Sequence, residues 1–214
     1  FKPSGNSTGT HILSNGINLN ESRSITIDSC WIGHVQYGGG GGNGYGYRIQ
    51  NGQEILLQHA TSKFTRHGFV FSHMSTSGNV IHQCDDIETK KQHGSTGDEM
   101  TSGSGSDHHM HFSHSNLIDQ CVVDQSNFQA SYRPYGGDPK HNLTAYWNTV
   151  SKTEQSWCIW SQQGRYGYVI GTSGSGSSVR TSGLNADYEQ VTLPVDVVEG
   201  EGEGATLEPQ SLYG

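Results

Sequence analysis

Apolar and polar positions alternate along the chain in short, recurring bursts. The stretches "RSITIDSC" (23–30), "QEILLQHA" (53–60), "GNVIHQC" (78–84), "SNLIDQC" (115–121) and, more loosely, "HNLTAYW" (141–147) share one plan. Each has a few apolar or β-branched residues, then one or two polar ones, then a small one. Ahead of most copies stands a second stretch with apolar residues at every other position: "GYGYRIQ" (44–50), "RHGFVFSHM" (66–74), "DHHMHFSH" (107–114) and "NFQASYR" (127–133). Alternation of this kind predicts short β-strands. Runs such as "YGGGGGNG" (37–44) and "HGSTGDEMTSGSGSD" (93–107) absorb the variable spacing as loops. Paired short strands, repeated with variable loops and no helical periodicity, predict an all-β chain wound as a parallel β-helix, a solenoid of stacked coils. A β-sandwich is the rival, but it predicts no stacking of like residues.

Laying the copies over one another sets His67 on His108, Phe71 on Phe112, Ser72 on Ser113 and His73 on His114. After a short slip, Asn79 falls on Asn116 and Cys84 on Cys121. Asn79, Asn116 and Asn142 occupy one repeat position, which predicts an inward ladder of side-chain amides. Cys30, Cys84 and Cys121 share another, where stacked small apolar residues are expected. With Cys158 they form no CxxC pair, and free buried thiols and a single disulfide both remain open. The chain divides into an extended segment or lead-in to the first coil (1–22), the coils (23–176) and an acidic, Gly-rich cover or linker (177–214).

Strand alternation sorts each copy into two faces. In "DHHMHFSH", His108, Met110, Phe112 and His114 are expected inside; Asp107, His109, His111 and Ser113 are expected outside. In "RHGFVFSH", His67, Phe69, Phe71 and His73 turn inward, and Arg66, Gly68, Val70 and Ser72 outward. Tyr45, Tyr47, Ile49, Phe128, Ala130 and Tyr132 join the interior, while Arg48 and Arg133 extend the outer stripe. On this register Arg66 lies beside Asp107. The result is an outer ribbon of Arg48, Arg66, Asp107, His109, His111 and Arg133.

Composition narrows the roles. Hydrophobic residues make up 31% and charged residues 15% of the 214 positions, so the core is lean, and a narrow solenoid interior needs no more. A net charge of −8 argues against a general nucleic-acid binder. No apolar run approaches the ~18 residues of a membrane span, and no signal peptide or initiator Met opens the chain. The chain is read as a mature or partial segment of a longer protein. The sequons at Asn6, Asn20 and Asn142 hint at secretion and glycosylation.

The ribbon holds the parts for acid–base chemistry. A histidine with a pKa of ~6.5 exchanges protons at working pH. Arginines neutralise a carboxylate or sulfate through paired hydrogen bonds. Together they suit β-elimination on an acidic sugar, with His109 or His111 as base, Arg66 and Arg133 as charge neutralisers, Arg48 as a further substrate contact and Asp107 orienting them. Glycoside hydrolysis needs two opposed carboxyls, and only Asp107 faces the ribbon, with Asp138 the sole candidate second. No cofactor is expected. Zinc on His109, His111 and Asp107 is the metal alternative, and calcium would want more carboxylates.

Several segments resemble a known group of proteins: "TRHGFVFS…SGNVIHQC", "GSDHHMHFSHSNLIDQC", "LTAYWNTV" followed by "GYVIGTSG", and "LEPQSLYG". They look like parts of large secreted proteins with a pectate-lyase-like right-handed parallel β-helix, over roughly residues 23 to 214. The resemblance implies that fold, an extracellular setting and carbohydrate processing. Arg66-His67 and Asp107-His108-His109 correspond to RH and DxxH-type segments of such relatives. The calcium-binding Asp cluster of a pectate lyase is missing, which puts the calcium-dependent mechanism in doubt. Three functional expectations follow. The first is an extracellular polysaccharide-binding β-helix that cleaves an acidic glycan by elimination. The second is a non-catalytic structural or filament-forming glycoprotein, self-associating as a homo-oligomer. The third is a glycoside hydrolase.

Overall fold

A computed structural model describes residues 15–35, 42–89, 92–93, 99–100, 105–109, 113–130, 141–142, 145–152, 157–161, 167–181 and 197–214. Among these the chain is all-β apart from one short 3-10 turn, Gly204–Thr206. A seven-stranded sheet joins Ile17–Asn20, Tyr45–Gln50, His67–Ser72, Ser106–His109, Phe128–Ala130, Ile159–Ser161 and Val179–Arg180, in chain order and all parallel. A second sheet, of eleven strands, has two arms. One arm runs through Arg23–Asp28, Gln53–Gln58, Val80–His82 and Leu117–Asp119; the other through Trp31–Gly33, Thr61–Lys63, Asp85–Ile87 and Val122–Asp124. The long strand Ala145–Ser151 pairs with both arms and joins them, and Tyr168–Gly174 and Val197–Glu199 continue beyond it. The chain visits the seven-stranded sheet, then the two arms, and then returns, so each circuit pairs in parallel with the next.

The bends are made by single residues in the left-handed region. Ser29, His59, Gln83, Gln120 and Asn148 have φ of 53°, 51°, 48°, 50° and 49°, and they sit one above another between the two arms. Gly171 and Gly200 continue this column at φ of 69° and 63°, where the missing Cβ removes the steric cost. A second column holds His34, Phe64, Glu88 and Gln125, all at positive φ. Directly after the first bend come Cys30, Ala60, Cys84 and Cys121, the small residues that end each repeat; the last three are buried. The four cysteines are free thiols. Burial pushes the Cys121 thiol well up and Cys158 to about 12, so neither forms a thiolate at neutral pH.

The interior is a narrow column of aromatic and aliphatic side chains. Tyr47 stacks on Phe69 with ring centroids 5.0 Å apart, Phe71 packs on His108 at 4.9 Å, and Phe128 meets Tyr146 at 6.3 Å. Such aromatic pairs add about 0.5–1.5 kcal/mol beyond the area they bury. The amide ladder is present at two rungs. Asn79 Nδ2 donates to Asn116 Oδ1 at 3.0 Å and to Gly52 O at 3.0 Å, while Asn79 Oδ1 accepts from Ile55 N at 3.0 Å. Asn142 is not the third rung: its backbone pairs with His114, two positions before Asn116.

The register over the first strand of the repeat also differs from expectation. His108 lies opposite Phe71, His109 opposite Ser72 and Asp107 opposite Val70. One offset thus serves the whole circuit, the same that sets Asn79 against Asn116 and Cys84 against Cys121. The recurring "FSH" at 71–73 and 112–114 suggested a different alignment. The interior decides against it: Ser106 is held opposite Phe69 by a bond from Phe69 N to its Oγ at 2.8 Å and by its own bonds to Asp86.

Within the segment read as a cover, Val179–Arg180 and Val197–Glu199 extend the two sheets. The last residues lie back across the second sheet. Trp147 Nε1 donates to Pro209 O at 3.1 Å, Asn148 Nδ2 to Gln210 O at 3.1 Å, Ser211 Oγ to Asp119 Oδ2 at 2.6 Å and Leu212 N to Asp119 Oδ1 at 3.1 Å.

Replacing Asn116 by Ala strips buried donors of Asn79 of their acceptor. We expect a loss of about 1–3 kcal/mol for the orphaned amide, read as a lower urea midpoint at unchanged m-value. An unchanged midpoint would mean that the ladder carries no stability.

Candidate functional site

Two glycines shape the site. A Cβ on Gly46 would fall 2.4 Å from Ser62 Oγ, and one on Gly68 would fall 2.4 Å from Asp86 Oδ1, so both positions face the interior. Their successors Tyr47 and Phe69 also face inward, which breaks the alternation. Tyr45 and His67 are thereby turned to the outer side of the sheet, in contact with Arg48 and His109. His67 was expected in the interior column; it is buried, but on this other face.

Tyr45, His67 and His109 form a triangle of rings. Centroids are 5.2 Å apart for Tyr45–His67, 5.6 Å for Tyr45–His109 and 5.6 Å for His67–His109. Arg48 and Arg66 both approach the Tyr45 ring, at 5.6 and 5.7 Å from its centroid, in cation–π contact. Arg66 Nη1 also donates to Asn43 O at 3.3 Å, and Arg48 Nη2 donates to Ser72 Oγ at 3.2 Å. Burial pushes the Tyr45 phenol up, and the two arginines pull it part of the way back.

Asp107 holds the centre. Its side chain is 0% exposed, and its Oδ2 accepts from His109 Nδ1 at 2.9 Å. His109 is 12% exposed, so one edge of its ring meets solvent. His67 is fixed from the other side. Its Nδ1 lies 2.6 Å from Gly105 O, and a carbonyl only accepts, so Nδ1 carries the proton. That leaves Nε2 as a bare lone pair, buried and without a hydrogen-bond partner among the described residues. Burial depresses the His67 pKa to about 3, with the Asp107 carboxylate opposing, so the ring is neutral at working pH. One donor atom each from His67, Asp107 and His109 lie within 4.8 Å of one another.

Beneath the site a buried carboxylate pins the strand that carries Asp107 and His109. Asp86 accepts from Ser106 Oγ at 2.6 Å, Ser106 N at 3.2 Å and Ser126 Oγ at 2.7 Å, and also from Thr89 Oγ1. Burial raises its pKa despite those donors. The periodicity of so short a strand, Asp85–Ile87, gives no sign in the sequence that Asp86 faces inward.

The expected ribbon is therefore only partly assembled. Arg48, Asp107 and His109 share one outer patch, and Arg66 reaches it through Tyr45 rather than by lying beside Asp107, whose neighbour is Val70. Asp107, Gly68, Val70, Ser72 and Ser113, expected at the surface, are buried. His108 is an interior side chain, as expected, with Nδ1 bonded to Ser113 Oγ at 2.9 Å. His73 and His114 are half-buried. His111, Arg133 and Asp138 lie outside the described residues, as do Met110, Phe112 and Asn6. Asn20 is exposed at the end of its strand. Missed altogether were Tyr45 and His67 as members of the site; the glycine before each inward aromatic, in "YGY" and "HGF", was the available signal.

Comparison with protein-family profiles, with curated proteins and with solved structures returns no match. No helix among the described residues is long and apolar enough to cross a membrane.

The Asp86 carboxyl gives a pH test of the pinning. Its folded pKa is raised, so its contribution is fully present below the unfolded value of 3.8 and is lost as pH rises through the folded pKa. The stability of Asp86→Asn relative to the parent protein should therefore rise between pH 4 and pH 7.5, as followed by urea unfolding. A constant difference would show that Asp86 titrates alike in both states.

Proposed function

We propose that the chain is part of an extracellular right-handed parallel β-helix that binds an acidic polysaccharide on its outer face and cleaves it by β-elimination. The observation that carries this reading is the buried Asp107 carboxylate holding the partly exposed His109 at 2.9 Å, beside a phenol flanked by two arginines. The parallel pairing throughout the two large sheets and the stacked single-residue bends support the β-helix. The resemblance of "RHGFVFS" and "SDHHMHFSH" to secreted pectate-lyase-like proteins supports the carbohydrate and the extracellular setting.

The chemistry follows from what each group can do. Asp107 orients the His109 ring through the hydrogen bond to Nδ1. The His109 nitrogen not bonded to Asp107 removes the proton alpha to the uronate carboxylate. The released electron pair forms the carbon–carbon double bond, the glycosidic C–O bond breaks, and the leaving oxygen takes up a proton. Arg66 and Arg48 neutralise the negative charge that gathers on the carboxylate. Arg133 and His111 would extend the contact beyond the described residues. A hydrolase would need a second carboxyl facing Asp107, and none lies in this patch among the described residues.

The structural alternative, a stiff self-associating glycoprotein, draws on the two-rung interior amide ladder and on the burial of Val70 and Asp107 on the outer face. Incubation with a panel of uronate-containing polysaccharides separates the readings. Elimination gives a rise in ultraviolet absorbance from the unsaturated uronate. His109→Ala should lower that rate by about 100-fold or more, the usual span of acid–base assistance. New reducing ends without the absorbance would favour hydrolysis, and no product on any glycan would favour the structural role.

A further inference from the structure

We infer that His67, Asp107 and His109 form a binding site for one divalent transition-metal ion of the Zn²⁺ type. The three side chains come from two neighbouring strands, His67–Ser72 and Ser106–His109, which parallel pairing holds side by side. The inference rests on the placement of these groups and not on the glycan reading.

The donor set has the character of a metal site rather than of a packed core. His67 is 1% exposed, yet its Nε2 lone pair has no hydrogen donor among the described residues. A buried acceptor without a partner is destabilising, and a cation at this point would remove that cost. The opposite nitrogen donates to a backbone carbonyl, Gly105 O, at 2.6 Å. That is the outer contact that fixes tautomer and ring plane in metal-bound histidines. Gly105 itself has φ of 78°, and a Cβ there would lie 2.1 Å from Asn127 O, so its carbonyl is held in a position few other residues could provide. Asp107 adds a buried carboxylate, whose Oδ2 accepts from His109 Nδ1 at 2.9 Å in the metal-free site, and an ion would take the place of that proton between the two groups.

Chemistry selects the ion. Two imidazoles and one carboxylate suit Zn²⁺, Co²⁺, Ni²⁺ or Cu²⁺, whereas Ca²⁺ and Mg²⁺ want oxygen ligands throughout. Donors about 2.0–2.2 Å from zinc stand roughly 3.3 Å apart in a tetrahedron. The present span of up to 4.8 Å must therefore contract, which rotation of the His109 side chain at the end of its strand allows. Three protein ligands leave a fourth position for water or an anion. Arg48 and Arg66 on the Tyr45 ring oppose a further positive charge here. A loaded site thus carries excess positive charge and favours an anionic fourth ligand. With an ion bound, His109 is a ligand and is withdrawn from proton transfer, so metal and elimination chemistry compete for the same ring.

The test uses the full chain, stripped with chelator and without any glycan. Titration with Zn²⁺ by calorimetry, and with Co²⁺ by visible absorption, should give one ion per chain and the intense bands of four-coordinate cobalt. His109→Ala, at a partly exposed position, should weaken binding about 100-fold or more, and His67→Gln should do the same, with circular dichroism confirming that each variant folds. His59→Ala and His82→Ala, on the other sheet, should leave affinity unchanged. No binding at micromolar metal, or binding that survives both His109→Ala and His67→Gln, would overturn the site. Because no polysaccharide is present, failure here leaves the elimination assay untouched, and the converse also holds.

Discussion

The structure depends on one constraint: each circuit of the chain must return in register to the bend of the circuit before it. At the bend between the two arms, the backbone N–H of Ser29, His59, Gln83 and Gln120 donates to Gln58, His82, Asp119 and Trp147 carbonyls at 3.1, 3.2, 3.0 and 2.8 Å. A left-handed residue other than glycine costs roughly 1–2 kcal/mol, and the inter-circuit hydrogen bond offsets about that much. Satisfying this bond at every level stacks like position on like. Residues far apart in sequence then meet at strand spacing, which is how Tyr45, His67 and Asp107 become neighbours.

The same rule explains what could be read from the chain. The small residue closing each repeat marks the bend, because the position after a left-handed residue turns inward into the narrow column, where Cys and Ala stand in the earlier circuits and Thr149 and Thr172 in the later ones. The amide pair at Asn79 and Asn116 was legible for the same reason. The strand register was not. A shared tripeptide outweighed the offset already set by the asparagines and cysteines, and it carried Arg66 to Asp107 when Val70 belongs there. Face assignment failed at Gly46 and Gly68, since a residue without a side chain gives no sign of which way it points. Burial on the outer side of His67–Ser72 was also invisible, because period-two alternation ranks the faces of a strand but does not say whether anything covers the second one.

Among the described residues three Asp–His pairs recur, one exposed and two with a buried carboxylate. Asp28–His59 is exposed, at 2.8 Å, with the carboxyl held down and the imidazole held up by their mutual hydrogen bond. Asp119–His82, at 2.7 Å, buries the carboxylate under the C-terminal residues Ser211 and Leu212. Asp107–His109 buries the carboxylate and leaves part of the ring in water, with a second, neutral imidazole alongside. Solvent screens the first pair to little effect. In the second, the tail adds two more donors to the Asp119 carboxylate. Exposure does not separate the second pair from the third, each with a 0% exposed carboxylate and a 12% exposed ring; the third differs by the buried imidazole of His67 and by Tyr45 with its two arginines beside it.

The tail has a mechanical meaning of its own. Stacked repeats ordinarily fray from their ends, since a terminal unit has one neighbour instead of two. Here Ser211 and Leu212 are fastened to Asp119, so the chain folds back over Tyr168–Gly174 and Ala145–Ser151 to a strand three places inside Val197–Glu199. Peeling away the outermost strand therefore drags on a strap anchored deep in the stack, and the C-terminal levels must loosen as a block rather than one by one.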